Sequence, residues 1–325
     1  FAENSADRKL TIQDWDLYSF AGYIYLTRGD LNNVNIEHPP LGKYLFGLSV
    51  LIFNNPTIVQ IPLALIFLFV CFLISLRLLK SKYLALLIPL GIIFEKSFVE
   101  ETTRNLLNLF QAVMISLFIW LVLNKKLNIK LKIFLGLSLG AVSAIKYPAT
   151  AIILTISYFI HLLIIKGKKA VQGLPVVIIA IIFYLLTYTP LFIQQGIGGF
   201  FGPAAMALNI HLSHVPEYKP FAPLKVMFFN QWPVWWDKEN PVHKAGEGNI
   251  FWPFLAFSIL LSPLFYRSYK EKKKILVVFV FPCLYFIFIN SRLFFPSYLF
   301  LILPYLYIFL IWEIKTVFKY FKRLV

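Results

Sequence analysis

The sequence predicts an all-α polytopic membrane protein, and three observations predict it. Apolar residues fill 59% of 325 positions, with 34 Phe and 17 Tyr, whereas soluble domains hold roughly 45–50%. The mean hydropathy is +0.74. The apolar residues fall into runs at 41–53, 57–76, 83–94, 105–123, 133–145, 147–165, 173–193, 250–266, 275–289 and 297–314, and a segment in lipid must satisfy its own backbone, which a helix does.

Basic clusters separate these runs at Arg77/Lys80/Lys82, Lys125/Lys126/Lys130/Lys132, Lys166/Lys168/Lys169, Arg267/Lys270/Lys272/Lys273/Lys274 and Lys315/Lys319/Lys322/Arg323, with Glu271 their lone acid. Lys and Arg exceed Asp and Glu by 31 to 15. In a soluble chain that excess would suggest nucleic acid; here it reads as a positive-inside bias, and no nucleic-acid partner is expected. Most of the acids lie in the alternate segments, which are assigned to the outside. Cys71 and Cys283 both fall inside apolar runs, so they support neither a disulfide framework nor a metal cluster. The chain opens at Phe1 without a signal-like apolar region, and an upstream span that places residues 1–40 across the bilayer is expected to precede it.

Taken in order, the stretch 14–44 reads DWDLYSFAGYIYLTRGDLNNVNIEHPPLGKY and is the longest water-compatible part of the N-terminal half. Pro39-Pro40 forbids helix before it and presets a helix over 41–53. That helix is too short to cross a bilayer, which takes about 20 residues. Only one span fits between an outer N-terminal segment and an inner Arg77. The assignment is therefore an interfacial helix at 41–53 followed by about nine spans. The run at 83–94 is expected to continue as helix through Val99, setting Glu95 and Lys96 near the outer headgroups. A second outer-face segment, 194–249, carries His211, His214, His243 and the aromatic block Trp232, Trp235, Trp236.

The residues that could carry chemistry gather on the outer side. Asp14 and Asp16 open the first segment, and Glu37 and His38 are held by the Pro-Pro turn, with Lys43 one turn into the next helix. Arg104 precedes the 105–123 run, Lys146 interrupts GLSLGAVSAIKYPAT, and Arg292 lies in SRLFFPSY before the last. A charge at the end of a span can simply snorkel. Several cations opposite a carboxylate-rich loop are also what an anionic lipid headgroup requires. Transfer from a lipid phosphate would use the cations to neutralise the leaving group and one carboxylate to take a proton from the incoming hydroxyl or amine. No GxxxxGK[ST] or GxGxxG pattern occurs, so a nucleotide-driven pump is disfavoured. His211, His214 and Glu217 have a spacing that would bind a divalent metal on a helix, and Glu37 could pair with one of these histidines; plain surface histidines are the other reading. The tryptophans read as an interfacial belt or, for one such as Trp235, as a face that stacks on sugar or lipid.

DWDLY followed by EHPPLGKYLFGLS resembles the first outer loop of the protein O-mannosyltransferases, and more broadly of the GT-C-type polyprenyl-phosphate-dependent glycosyltransferases, among them the aminoarabinose transferases that modify lipid A. RNLLN at 104–108, GLSLGAVSAIKYPA at 136–149, QWPVWW at 231–236 and RLFFPSYLFLILP at 292–304 extend the similarity over nearly the whole chain. The resemblance implies a GT-C-like bundle lacking the family's first span, and it independently implies the interfacial helix. It makes Asp14 the catalytic acid of the first loop, with Trp15 where a Glu is usual and Asp16 its nearest replacement. Glu37 and His38 match the polar pair before the Pro turn, a pair whose Glu lies near a metal in the lipid A branch. Lys146 and Arg292 match cations near the donor phosphate. An Arg-x-x-x-Asp pattern ends here in Asn108, leaving Glu100 or Glu101 to compensate.

The expected organisation is an outer catalytic loop with interfacial helix at 1–56, a transmembrane core at 57–193, a second outer loop at 194–249 and C-terminal helices at 250–325. The expected activity is transfer of a hexose such as mannose, with inversion, from polyprenyl phosphate to a protein Ser/Thr hydroxyl, on the extracytoplasmic face of a prokaryotic membrane. Asp14 or Asp16 would be the base. Glu37, His38, Lys43, Arg104, Lys146, Arg292 and Trp235 would bind substrate or phosphate. Glu37, His211 and His214 are the candidate ligands should a divalent metal be used. A lipid- or glycan-modifying transferase and a non-catalytic polyprenyl-phosphate binder or transporter are the alternatives.

Overall fold

The structure is a computed structural model that describes residues 13–123, 128–146, 148–213, 219–234, 237–246, 248–268, 272–291 and 294–321. Among the described residues the regular structure is helical apart from one small hairpin. Helix α1 (Asp14–Arg28) carries Asp14 and Asp16 in its first turn and Arg28 in its last, the arrangement that a helix dipole favours. Pro39-Pro40 starts α2 at Leu41, and α2 ends at Phe53 where Asn54 turns left-handed. The two helices touch backbone to backbone: a Cβ placed on Gly22 would stand 1.8 Å from the carbonyl oxygen of Lys43, and one on Gly47 2.3 Å from that of Gly22. Only glycine permits that approach. The opposite side of α2, with Leu48, Leu51, Ile52 and Phe53, is exposed and apolar, as a helix lying against lipid would be.

Helix α3 (Gln60–Leu79) follows, then α4 (Lys82–Ile93), α5 (Lys96–Thr103) and α6 (Leu107–Val122). The helix expected to run from 83 through Val99 instead breaks at Phe94–Glu95. Glu95 is fully buried and accepts hydrogen bonds from Trp252 Nε1 at 2.9 Å and from the Tyr307 hydroxyl. A buried carboxylate needs donors, and these lie inside the bundle, so the chain turns inward where headgroup exposure was expected. Lys96 stays exposed and donates to the Gly246 carbonyl at 3.0 Å.

Next come α7 (Ile129–Ile145), α8 (Pro148–Lys166), α9 (Leu174–Leu186) and α10 (Thr189–Gln195). The run at 173–193 is thus divided at Thr187–Tyr188. Helices α11 (Phe201–Ser213) and α12 (Ala222–Phe229) lead to a hairpin of β1 (Gln231–Pro233) and β2 (Val242–Lys244), antiparallel with Trp232 opposite His243. Helices α13 (Trp252–Ser268), α14 (Leu276–Ile289) and α15 (Leu303–Phe321) complete the chain, and a 3₁₀ turn at Pro296–Leu301 precedes the last.

Two helical stretches, Gln60–Leu79 and Pro148–Leu186, are long and apolar enough to cross a membrane, and α5 with α6 passes only if joined across a 109° bend. Among the described residues the other apolar helices, including α2, α4 and α14, are shorter. Nine separate full-length spans are therefore not what the helix lengths establish; at about 1.5 Å per residue, α4 covers well under the hydrocarbon thickness. The core runs between α3, α6, α14 and α15, where Phe67, Phe118, Phe281, Phe300 and Phe309 are completely or almost completely buried. In lipid such rings hold the bundle by close packing, since leaving them exposed to acyl chains costs little.

Candidate active site

The site forms where three helix ends meet beside α1. Helix α7 stops at Ile145 and α8 begins at Pro148, so Lys146 lies in the break with a backbone that belongs to neither. Its side chain is buried, its Nζ donates to Asn108 Oδ1 at 2.7 Å, and it sits 5.3 Å from the centre of the Tyr298 ring. Asn108 is in the first turn of α6, and its Nδ2 donates to Glu101 Oε1 at 2.5 Å. Glu101 Oε2 accepts from the Leu109 backbone N–H at 3.1 Å. The α5–α6 bend makes this possible, because it turns Glu101 back over the unpaired N–H groups that begin α6. The amide of Asn108 can lie only one way: reversed, it would set its oxygen against a carboxylate and its NH₂ against an ammonium. Burial pushes the Glu101 carboxyl up, while Lys146 and the donors from Asn108 and Leu109 draw it down, leaving it at about 7.

Tyr18 joins this cluster to the first segment. It lies one turn beyond Asp14 on the same face of α1 and is buried, with its ring 5.6 Å from that of His38. Burial holds its phenol well above the usual range, reinforced by the negative charges of Asp14, Glu37 and Glu101 and by Tyr298. Those groups lie near enough to Tyr18 to act on its charge. Asp16 is also exposed at the start of α1 but lies about 200° around the helix from Asp14, on the far side from Tyr18. Trp15, standing where a second acid was expected, supports the guanidinium of Arg104, whose Cζ lies 4.6 Å from the ring centre. The turn carrying Arg104 is fixed from α3: Gln60 Nε2 donates to the carbonyls of Arg104 at 2.9 Å and Leu106 at 3.1 Å.

Lys43 has a different task from the phosphate contact expected of it. It is fully buried, and its Nζ donates to the carbonyls of Asn35 and of His38 (2.6 Å) and to the Tyr25 hydroxyl at 3.3 Å. Three partners match the three hydrogens of an ammonium, so this side chain holds the loop that presents Glu37 and His38. Desolvation lowers its pKa, opposed by the charge of Glu37. Trp232 is likewise structural: its Nε1 donates to the Phe294 carbonyl at 3.0 Å and its ring tilts against Phe295, anchoring the segment that carries Tyr298.

The structure thus brings Asp14, Glu37, His38, Arg104 and Lys146 into one neighbourhood. Arg292, Trp235, Trp236, His214 and Glu217 lie outside the described residues, and His211 falls within α11. Among the described residues no group of three or more His, Cys, Asp or Glu side chains is arranged to hold a metal. Tyr18, Gln60 and Tyr298 were missed in the sequence. The signals present were the four-residue spacing from Asp14 to Tyr18 and a glutamine at the mouth of an apolar run.

With this geometry in place, the class is that of a mostly helical fold shared with solved structures. The particular likenesses are to ArnT from Cupriavidus metallidurans and the archaeal oligosaccharyltransferase AglB from Archaeoglobus fulgidus. ArnT bound to undecaprenyl phosphate superimposes with a TM-score of 0.66 and 11% identity, over 92% of this chain and 55% of that one. Apo ArnT gives 0.58 and 14%, over 92% and 54%. AglB, solved with an inhibitory peptide and a dolichol-phosphate, gives 0.55 and 12%, over 96% and 48%. The chain therefore spans about half the length of these neighbours, and at such identities the likeness is one of fold. No protein-family model and no curated protein matches the sequence.

Proposed function

We propose that the protein is an integral membrane glycosyltransferase that moves a sugar, a hexose such as mannose, from polyprenyl phosphate to an acceptor hydroxyl of a protein Ser or Thr on the outer face. The observation that carries this reading is the convergence of Asp14 and Glu37 with the Lys146–Asn108–Glu101 cluster around Tyr18, in a fold similar to that of ArnT with undecaprenyl phosphate. In the proposed reaction Asp14 takes the acceptor's proton as the oxygen bonds to the anomeric carbon of the sugar. The bond from that carbon to the phosphate oxygen breaks, its electron pair leaves with the polyprenyl phosphate, and inversion follows from attack opposite the leaving group. Lys146, with Arg104 and Arg292, balances the charge that grows on the phosphate. Glu37 and His38, held by Lys43, shape the acceptor side. Asp14 is preferred to Asp16 because it shares a helix face with Tyr18.

The likeness to ArnT favours a second reading within the same chemistry, in which the acceptor is a lipid or glycan. The test is transfer by the purified protein in lipid, with radiolabelled polyprenyl-phosphate mannose and a mixed protein and lipid acceptor fraction. Asp14→Asn is expected to lose about 10²–10⁴-fold in rate, the range for a general base, while still binding the donor. Label in protein supports the first reading and label in lipid the second. Donor binding without transfer by the wild-type protein would sink the proposed activity in favour of a binder or transporter.

A further inference from the structure

Lys146 is buried, and a buried ammonium requires negative charge nearby. One partner, at 2.7 Å, is the neutral amide oxygen of Asn108. A carboxylate stands one hydrogen bond further on, where Glu101 receives the other end of that amide. Glu101 is itself fixed by backbone donation from the start of α6, so the order carboxylate, amide, ammonium is set by the fold. We propose that Glu101 is the positioning residue for Lys146, fixing the charge and direction of the ammonium through the oriented amide of Asn108. The proposal rests on the reading of Lys146 as a cation that meets a phosphate.

The chemistry of such a relay differs from that of a direct ion pair. A carboxylate at position 108 would touch the ammonium and compete with an incoming phosphate at contact distance. With the amide between them the attraction is weaker, because it falls with separation, yet it still favours the protonated amine. The amide also aligns the ammonium, since Nδ2 must face the carboxylate and Oδ1 the lysine. Other groups facing this cluster are Tyr298, under Lys146, and Tyr18, beyond which lie Asp14 and Glu37.

The experiment moves the charge along the relay. Wild type, Glu101→Gln and the double variant Glu101→Gln/Asn108→Asp are reconstituted in lipid nanodiscs and checked for folding by melting. Two quantities are read: the titration of Lys146, followed by NMR of ¹³C-methylated lysines and assigned with Lys146→Arg, and binding of undecaprenyl phosphate. Glu101→Gln is expected to lower the Lys146 pKa by about one unit or more, the usual size of a lost opposite charge, and to weaken undecaprenyl phosphate binding about tenfold. The double variant is expected to restore the Lys146 pKa but not the binding, because Asp at 108 would pair with the ammonium directly and compete with the phosphate. A Lys146 titration unchanged in Glu101→Gln, or a folded double variant whose Lys146 pKa is no higher than that of the single one, overturns the proposal. A relay that responds as expected in a protein that binds no undecaprenyl phosphate overturns the phosphate-facing reading and leaves the role of Glu101 standing.

Discussion

Glu95 caps the start of the short helix α5 and Glu101 lies within its last turn, and both are buried, yet they are satisfied in opposite ways. Glu95 is held by two neutral aromatic donors, Trp252 on α13 and Tyr307 on α15. Glu101 is held by an amide and a backbone N–H, with Lys146 at the far end of the amide. The first carboxylate ties distant helices together. The second passes charge toward a site. A buried acid is thus not a functional signal in itself; its donors decide what it does.

The largest effect that would separate the two comes from Glu95→Ala. It orphans the Trp252 and Tyr307 donors, each worth about 1–3 kcal/mol, so unfolding in lipid or detergent should become easier by about 2–4 kcal/mol. Transfer per folded molecule should remain close to wild type, and Glu95→Gln, which keeps an acceptor, should cost less. A Glu95→Ala protein that melts normally but loses transfer would erase the distinction.

A smaller effect is expected from pH. Glu101 sits at about 7, above the ordinary carboxylate range, so the folded protein holds this proton more tightly than the unfolded chain. Its contribution to stability is full below the unfolded value and is lost as pH rises through about 7. Binding should run the other way, because ionised Glu101 is the form that orients Asn108 and supports Lys146. Undecaprenyl phosphate affinity should therefore rise across pH 6 to 8 in wild type, with a flatter profile in Glu101→Gln; equal slopes would contradict the assignment. The smallest effect is that of Trp15→Ala. Losing an exposed cation–π contact with Arg104, worth about 0.5–1 kcal/mol, should raise the donor KM a few-fold and leave Glu95-dependent stability alone.

The same contrast explains what could be read from the sequence. Pro39-Pro40 is a local stop and start signal, and the expected 41–53 helix appears as Leu41–Phe53. Lys146 inside an apolar stretch marked a break, which the structure places between Ile145 and Pro148. The candidates for the carboxylate absent at 108 included Glu101, seven residues away. Nothing local announced that Glu95 would meet residues 252 and 307, since donors so far along the chain leave no periodicity to detect. The inward turn of Lys43 was hidden for a related reason: its partners are mainly backbone carbonyls, and every residue has one. Composition and spacing recover helices and helix ends, whereas the choice between a rivet and a relay depends on which tertiary partners arrive.

The contact of α1 with α2 through Gly22 and Gly47 leaves no room for a methyl group on either side. Asp14, the Glu37–His38 turn and the foot of Lys43 accordingly travel as one solid piece. Any rearrangement at this corner of the molecule must come from the segments around that piece rather than from a change in the α1–α2 angle.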